Sequence, residues 1–289
     1  MNEKNRKSCL IQSVDVHQWN SIVYHWANAE NWNLSAGDTA RFFNVEPNGF
    51  FIVYRGDQPI SSMSMVNYSD SYAFAGNFII APEFRNNVCG AKVWDPTIAY
   101  AEHRTIGCDG NWDRTRLYEK RGFVIHHRNV RLSGDITRKI IPPAGAVPIT
   151  PANIDEVIQY DAECVGVHRD ALLADWFWGK ERYGFCTYSQ TGISGVIGIR
   201  RSHDGYRIGP FHADNSDVLE ILALSALALV PIGKSVSVDI PETDSNDFLL
   251  LAHEHGLRKL FHTYRMYKGN IVPKGRQDKV KAIASLELG

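Results

Sequence analysis

The residues with the clearest potential for chemistry lie where a predicted strand, 72–80, enters a polar loop that opens a helix near Gly90. A junction of this kind directs several backbone N–H groups and the positive end of the helix dipole toward one point. Such a point suits a pyrophosphate. The sequence therefore predicts an anion site formed by Arg85, Asn86, Asn87, Val88, Cys89, Gly90 and Ala91.

This segment resembles motif A of the GNAT N-acetyltransferases, whose loop usually reads Arg/Gln-x-x-Gly-x-Gly/Ala. Arg85 and Gly90 agree with the motif, while Val88 stands where the family has its first glycine. The resemblance implies that the loop binds the pyrophosphate of acetyl-CoA, and that the strand at Phe78 and Ile80 aligns the pantetheine and polarises the thioester carbonyl. Val88 adds a branched side chain at a close approach, so a positive φ there would prevent the usual loop shape.

A second segment, 109–123, resembles the GNAT ending, in which a helix carrying Leu-Tyr-Glu-Lys precedes Gly-Phe and a strand. Tyr118 matches the tyrosine that protonates the leaving thiolate in many members of the family. Gly122 fits physically, because glycine readily adopts a positive φ just after a helix. The alternative is that Tyr118 only covers the core from an amphipathic helix.

A third segment, Glu30-Asn31-Trp32-Asn33, resembles a signature of tandem GNAT proteins of the YitH type. Its place between two helices implies that it lines the acceptor side, with Trp32 as a wall and Asn33 as a polar anchor. The alternative is a core tryptophan and a helix-capping asparagine. A base must deprotonate the acceptor amine, and Glu30, Asp38 and Glu83 are the candidates among which the sequence does not choose.

The elements that position these residues occur twice along the chain. Residues 140–148 hold three prolines and a glycine, which predicts an extended linker between a first domain, 1–139, and a second, 149–289. Each half is predicted to contain helices, a three-stranded antiparallel meander, and then helix, strand, helix and strand. In the first half the meander is 49–54, 60–66 and 72–80.

The second half also resembles the closing domain of YitH-type proteins, at Val165 to Arg169, Gly205 to Phe211 and 265–269. Its loop equivalent to motif A, 212–217, carries two aspartates and no glycine, and Asp217 is predicted to cap the next helix. Negative charge there disfavours a pyrophosphate, so coenzyme A is expected once, in the first half. Arg169, Tyr206 and Arg207 are the candidates to face an acceptor pocket shared by both halves; the alternative is that they face solvent.

Composition excludes several function classes. The formal net charge of −1 implies no general attraction to nucleic acid or anionic membrane. The polar N-terminus argues against a secretory signal, and no apolar run is long enough to span a membrane. The five cysteines lack a CxxC pair, so neither a disulfide framework nor a zinc site is expected, and a cytoplasmic location fits. The adjacent histidines 126 and 127 point to opposite faces of a strand and predict no metal site.

Together these features predict an α/β (α+β) protein of two tandem GNAT folds, each a mixed, mostly antiparallel sheet flanked by helices. The predicted function is transfer of acetyl from acetyl-CoA to a primary amine of a small molecule or peptide, without a metal. The alternative is a catalytically idle acyl-CoA or small-molecule sensor with a degenerate GNAT fold, and another acyl group is a third possibility. Oligomeric state and acceptor identity are not determined by the sequence.

Overall fold

The computed structural model describes residues 9–85, 88–243 and 246–289. Its first half begins with β1 (Cys9–Ser13) and continues with α1 (Val16–Trp19), a π-helical turn (Asn20–Tyr24), α2 (His25–Ala29) and α3 (Ala36–Val45). The meander is β2 (Phe50–Arg55), β3 (Gln58–Asn67) and β4 (Tyr72–Ile80). It is followed by 3₁₀ turns at Pro82–Phe84 and Gly90–Val93, α4 (Trp94–Tyr100), β5 (Thr105–Asn111), α5 (Thr115–Glu119) and β6 (Val124–Asp135).

The second half repeats this order. It contains β7 (Val147–Pro148), α6 (Ile154–Val165), α7 (Asp170–Leu173), β8 (Arg182–Ser189), β9 (Gly192–Arg201) and β10 (Tyr206–Ala213). These are followed by α8 (Ser216–Leu227), β11 (Ser235–Pro241), α9 (Phe248–Glu254), β12 (Arg258–Lys268) and β13 (Val280–Ala282). The two predicted meanders and the architectural repeat are confirmed, and β7 falls inside the predicted linker.

The two halves exchange their last long strands. The sheet order is β1-β2-β3-β4-β5-β12-β6-β11-β10-β9-β8-β7, with β13 paired to β10. Thus β12, from the end of the second half, pairs with β5 of the first. In return β6 pairs with β11, and β6 and β12 pair with each other. Each half therefore completes its sheet with a strand from the other, and one continuous sheet runs through the molecule.

A hydrophobic core also crosses the boundary between the halves. Buried side chains of the first helices, such as Trp19 and Phe42, belong to one cluster with Leu172 and Trp176 of the second half. Leu288, at the chain end, lies in the same cluster. Because burial of large apolar and aromatic surface is the main stabilising term in folding, this shared core fixes the relative placement of the two halves.

Candidate active site

The candidate site is a wedge between the parallel strands β4 and β5. The two strands pair from Tyr72 opposite Thr105 to Ala75 opposite Cys108. Beyond Ala75 the pairing ends, although β4 continues to Ile80 and β5 to Asn111. The strands therefore separate, and peptide groups in the second half of β4 are released from the ladder on that side.

A β-bulge in β4 produces this separation. Asn77 and Phe78 together stand opposite a single residue of β3, and Asn77 has φ of 52°. The bulge is fixed by buried side chains: Asn77 Nδ2 donates to Ser64 Oγ at 2.9 Å, and Ser62 Oγ donates to the Asn77 carbonyl at 2.9 Å. Bulges of this kind bend a strand and re-aim its groups. Sequence reasoning missed Asn77, although asparagine is enriched at positive φ.

The larger of two cavities in the wedge has a volume of about 310 Å³. It lies between the outer end of β4, the loop that follows β4, and the region of α5. Its lining comprises Glu30, Trp32, Phe78, Ile79, Ile80, Arg85, Ala91, Asn111, Asp113, Arg114, Leu117, Tyr118 and Arg121. The predicted residues Phe78, Ile80, Arg85 and Ala91 thus meet Glu30, Trp32 and Tyr118 around one space.

Three arginines give this larger cavity cationic walls. The Arg85 guanidinium forms an ion pair with Glu30 and donates to the Ile80 carbonyl at 3.1 Å. Arg114 Nε lies 3.4 Å from Asp113 Oδ2 in an ion pair. The Arg121 guanidinium lies 4.4 Å from the Trp94 ring, and its Nη1 is buried without a hydrogen-bond partner in the described structure. A buried, unpaired guanidinium nitrogen at a cavity is suited to an anionic ligand such as a phosphate.

The loop after β4 combines predicted and unpredicted features. Asn86 and Asn87 lie outside the described residues. Val88 is 80% exposed and is not among the residues with positive φ. The backbone strain that a positive φ would cause at this branched residue is therefore absent. Gly90 is buried, and a Cβ there would lie 2.7 Å from Ile80 Cγ2. Its role is therefore a close approach to β4.

The expectation about disulfides is wrong for one pair. Cys9 and Cys89 are joined by a disulfide that links β1 to the loop after β4. Eighty residues separate them in sequence, so no local spacing motif announces the pair. They meet because β1 is the edge strand of the first half and packs beside the turn that begins at Gly90.

Tyr118 lies at the junction of the larger cavity with a smaller one. The residue is 9% exposed, and its ring makes edge-to-face contacts with Trp94 and Phe123, with ring centroids 5.2 and 5.9 Å apart. Burial, reinforced by neighbouring Cys108, raises the pKa of Tyr118 far above its ordinary value. The hydroxyl group therefore stays protonated at physiological pH and can donate a hydrogen bond, and the same burial makes it a weaker acid than a free tyrosine.

The smaller cavity, of about 50 Å³, is shared by the two halves. It adjoins the larger cavity at Trp32, Phe78, Asn111 and Tyr118, which line both. The remaining lining residues are Met63, Ala75, Gly76, Asn77, Cys108 and Asp109 from the first half, and Phe261, Thr263, Leu286 and Glu287 from the second. Strand exchange accounts for Phe261 and Thr263, because β12 lies beside β5, and the chain end supplies Leu286 and Glu287.

Comparison with known proteins shows the family of the chain. The chain is 43% identical to holothin acyltransferase of Pseudoalteromonas sp. (strain SANK 73390). The matched region of 276 residues covers 96% of this chain and 93% of that protein. A family model described as "Acetyltransferase (GNAT) domain" matches residues 157–280. The chain belongs to the GNAT acetyltransferase family.

Solved structures show the same fold. A candidate acetyltransferase of Pyrococcus horikoshii superposes with a TM-score of 0.81 at 20% identity, over 100% of this chain and 98% of that one. A tandem GNAT protein from the clavulanic acid biosynthesis pathway has a TM-score of 0.62 at 13% identity, over 90% and 98% of the two chains. The two tandem GNAT folds expected from the sequence are thus the observed fold class.

The corresponding wedge of the second GNAT fold is filled by the chain itself. There β10 and β11 pair only from Tyr206 to Ile208, and β13 then pairs with β10 at Phe211 opposite Ala282. Ile283 N–H donates to the Asp239 carbonyl at 3.0 Å on the other side. The strand space that is open in the first half is therefore occupied in the second.

The loop before α8 differs in detail from the expectation. Asn215, and not Asp217, is the N-cap, since its side chain accepts from Val218 N–H at 3.0 Å. Asp217 lies in the first turn. Asp214 accepts from the Tyr160 hydroxyl at 2.9 Å, and Lys279 Nζ lies 3.6 Å from it, so this loop is used by internal contacts.

Three predicted residues of the second half lie outside both wedge cavities. Arg169 pairs with Asp161 at 2.6 Å and donates to the Gly289 carbonyl, and it lines a separate cavity of about 40 Å³ shared by both halves. Arg207 pairs with Asp239 at 3.0 Å, and the Tyr206 hydroxyl donates to Glu181 at 3.4 Å. All three side chains are buried, which corrects the solvent-facing alternative.

In the first half, Asn33 and Asp38 also lie away from the wedge. Asn33 has φ of 54°, and its amide group exchanges hydrogen bonds of 2.7 and 2.8 Å with the backbone of Asp204. Asp38 is fully buried, and its carboxylate pairs with Arg182 at 2.6 Å and Arg200 at 2.8 Å. Both residues tie the halves together. Glu83 is exposed outside the cavities, so Glu30 is the sequence-predicted base that lines the wedge.

Neither a cluster of metal ligands nor a membrane-spanning helix occurs in residues 9–85, 88–243 and 246–289. No three His, Cys, Asp or Glu side chains among them are grouped as metal ligands would be. No helix in these ranges has the length and apolar character needed to cross a membrane.

Proposed function

We propose that the chain transfers an acyl group from an acyl-coenzyme A, with acetyl-CoA as the first donor to test, to the primary amine of an acceptor. The first GNAT fold would carry the reaction once per chain. The observation that carries this proposal is the bulged, open wedge of β4, with a cavity of about 310 Å³ walled by arginines and Tyr118 at its inner end.

The residues present fit coenzyme A. Its phosphates need cationic or N–H donors, and Arg85, Arg114 and Arg121 supply three guanidinium groups, one with an unpaired buried nitrogen. Arg85 would exchange its Glu30 ion pair for a phosphate, and Ala91 would contribute part of one wall. The strand from Phe78 to Ile80 would hold the pantetheine by peptide groups on the side that β5 leaves unpaired. When bound, the donor supplies an acyl thioester.

Tyr118 would act at the junction of the two cavities. Its protonated hydroxyl group would hydrogen-bond to the departing sulfur and give it a proton as negative charge develops there. Alignment of donor and acceptor in two adjoining cavities would contribute most of the rate. The second fold, whose wedge is filled, would serve by supplying β12 and the chain end to the acceptor side.

Holothin is the first acceptor to test, because it is named in the relative that shares 43% identity over nearly the whole chain. A panel of small primary amines and a peptide amine extends the search.

We retain the cytoplasm as the proposed location and the YitH type as the proposed subgroup. In the cytoplasm the Cys9–Cys89 disulfide would be exposed to reducing thiols, which keep most cysteines of that compartment reduced.

The decisive experiment is calorimetric titration with acetyl-CoA and CoA, followed by mass spectrometry of acceptors incubated with acetyl-CoA. We expect one donor site per chain and an acylated product. Arg121→Met should weaken donor binding about 10- to 100-fold, because a charge-assisted hydrogen bond contributes about 1.5–3 kcal/mol. Arg116→Met, an exposed arginine of α5 outside the cavity, is the matched control.

Each outcome has a distinct meaning. No donor binding, or two equal sites, would refute the proposed site. Donor binding without any acylated product across the acceptor panel would favour the idle acyl-CoA sensor. Equal effects of Arg121→Met and Arg116→Met would remove Arg121 from the phosphate site.

A further inference from the structure

Three residues that line the smaller cavity each carry a buried polar atom with no hydrogen-bond partner within the described structure. The atoms are Glu287 Oε1, Asn77 Oδ1 and Thr263 Oγ1. The residues that carry them are 2%, 3% and 3% exposed, and all three line this one cavity. Buried polar groups are almost always paired, because leaving one unpaired costs free energy. Three in one cavity indicate a ligand that supplies donors.

The position of Glu287 is set by the folded chain end. Ser285 Oγ donates to Glu287 Oε2, and Arg207 Nη1 lies 3.6 Å from the same oxygen. The backbone at Glu287 presses on β4 so closely that a Cβ on Gly76 would lie 2.3 Å from the Glu287 carbonyl oxygen. The segment beyond is held because Tyr68 Oη donates to the Leu288 carbonyl at 3.1 Å. The Oε2 atom of Glu287 is thus engaged, whereas Oε1 has no hydrogen-bond partner in the described structure.

We infer that Glu287, Asn77 and Thr263 receive the primary amino group of the acceptor, and that Glu287 is the general base of acyl transfer. This inference rests on the proposed function and names the group that deprotonates the acceptor. The smaller cavity, of about 50 Å³, has room for an amino group and adjoining carbon, while the rest of the acceptor extends through the junction at Trp32. Amine N–H groups are the donors that these unpaired oxygens lack.

The step balances without another reactant. The amine enters neutral, and its nitrogen lone pair forms the C–N bond to the acyl carbon. The nitrogen becomes positively charged and gives one N–H proton to Glu287 Oε1. The C–S bond breaks as Tyr118 gives its proton to the sulfur, and Tyr118 is reprotonated by exchange with solvent after product leaves. The proton held by Glu287 passes to solvent in the same interval.

Other carboxylates near the wedge are already engaged. Asp109, which lines the same cavity, accepts from Arg265 Nε and Nη2 at 3.2 and 2.8 Å and from Asn129 Nδ2 at 2.7 Å. Glu30 pairs with Arg85 on the donor side. Glu287 is therefore the residue lining the smaller cavity that carries a carboxylate oxygen without a partner in the described structure.

The test is Glu287→Gln in the full-length chain, which keeps the shape and the acceptor atom for Ser285 but removes the base. We expect kcat to fall at least 100-fold, the KM for acetyl-CoA to stay within threefold, and the acidic limb of the kcat–pH profile to disappear. Among the described residues, the charged or titratable groups around Glu287 are Arg207 of β10, which lies 3.6 Å from its Oε2, and Cys108, Asp109 and Tyr118, which line the same cavity. Glu156→Gln, an exposed carboxylate of α6, is the control and should match the wild type.

A second arm does not depend on turnover. Holothin and n-butylamine are titrated calorimetrically into protein saturated with CoA. The wild type should bind at least one of these probes, and Glu287→Gln and Thr263→Val should each weaken that binding at least fivefold. The valine variant keeps shape, so it remains informative if Glu287→Gln fails to fold.

The outcomes separate this inference from the proposed function. Turnover of Glu287→Gln within threefold of the wild type would overturn the base while leaving acyl transfer intact. A wild type without turnover on any acceptor would refute the proposed function, and equal amine binding by wild type and both variants would overturn the amino-group site. An unchanged acidic limb with lowered kcat would assign Glu287 a structural role and overturn its assignment as the base.

Discussion

Asp38 is the residue whose replacement best tests how the two halves are held together. Its carboxylate is completely buried and accepts from Arg182 Nη1 at 2.6 Å and from Arg200 Nε at 2.8 Å. The two guanidinium groups lie 4.7 and 4.6 Å from the Trp176 ring. Asp38→Asn leaves both cations in the core without their counterion.

The expected loss in free energy of unfolding is about 3–5 kcal/mol, the range for removing one partner of a buried ion pair. Two arginines lose their counterion at once, so we expect about 4 kcal/mol. Urea unfolding followed by tryptophan fluorescence, with linear extrapolation, measures this loss. Asp57→Asn, in an exposed turn between β2 and β3, is the control and should change stability by less than about 0.5 kcal/mol.

The same carboxylate predicts a pH dependence. Burial alone would raise the pKa of Asp38, but Arg200, Arg182 and Arg207 outweigh burial and hold the pKa below its ordinary value. A carboxyl group with a lowered folded-state pKa stabilises the protein above its unfolded pKa of about 4, and this contribution is lost as pH falls through the folded pKa. The stability difference between wild type and Asp38→Asn should therefore shrink below about pH 4. A difference under about 1 kcal/mol at pH 7, or one that grows in acid, would refute the reasoning.

Two further predictions address the acid and the strand exchange. Tyr118→Phe should lower kcat about 100-fold with unchanged affinity for CoA, because only the hydroxyl group is removed. Since burial raises the pKa of Tyr118, the wild type should lose no activity to ionisation of this residue up to about pH 10. Steady-state kinetics measured against pH checks both expectations. Residues 1–139 expressed alone should aggregate, because β5 loses β12 and β6 loses β11; co-expression with residues 140–289 should restore one folded complex on size-exclusion chromatography. Wild-type turnover in Tyr118→Phe would return that residue to core packing, and a soluble, active 1–139 fragment would contradict the need for exchanged strands.

Much of the architecture could be predicted from local patterns. Period-two and helical periodicities place both meanders and the following helices, because those signals reside in neighbouring residues. The motif-like segments around Arg85 and Tyr118 also predicted residues on two walls of the larger cavity. Arg121, just after α5, was missed although it follows Tyr118 by three residues; a search for a third cation near the predicted phosphate loop could have found it.

The sequence by itself therefore determined the order of elements, the tandem repeat and one face of the wedge. Only the tertiary structure decided which strands pair, that Asp38 joins the halves instead of serving as a base, and that Cys9 meets Cys89. It also decided that the chain end carries Glu287 to a cavity beside Asn77, more than two hundred residues away in sequence. These contacts depend on long-range strand pairing and on the burial of opposite charges, and neither leaves a signal in the spacing of neighbouring residues.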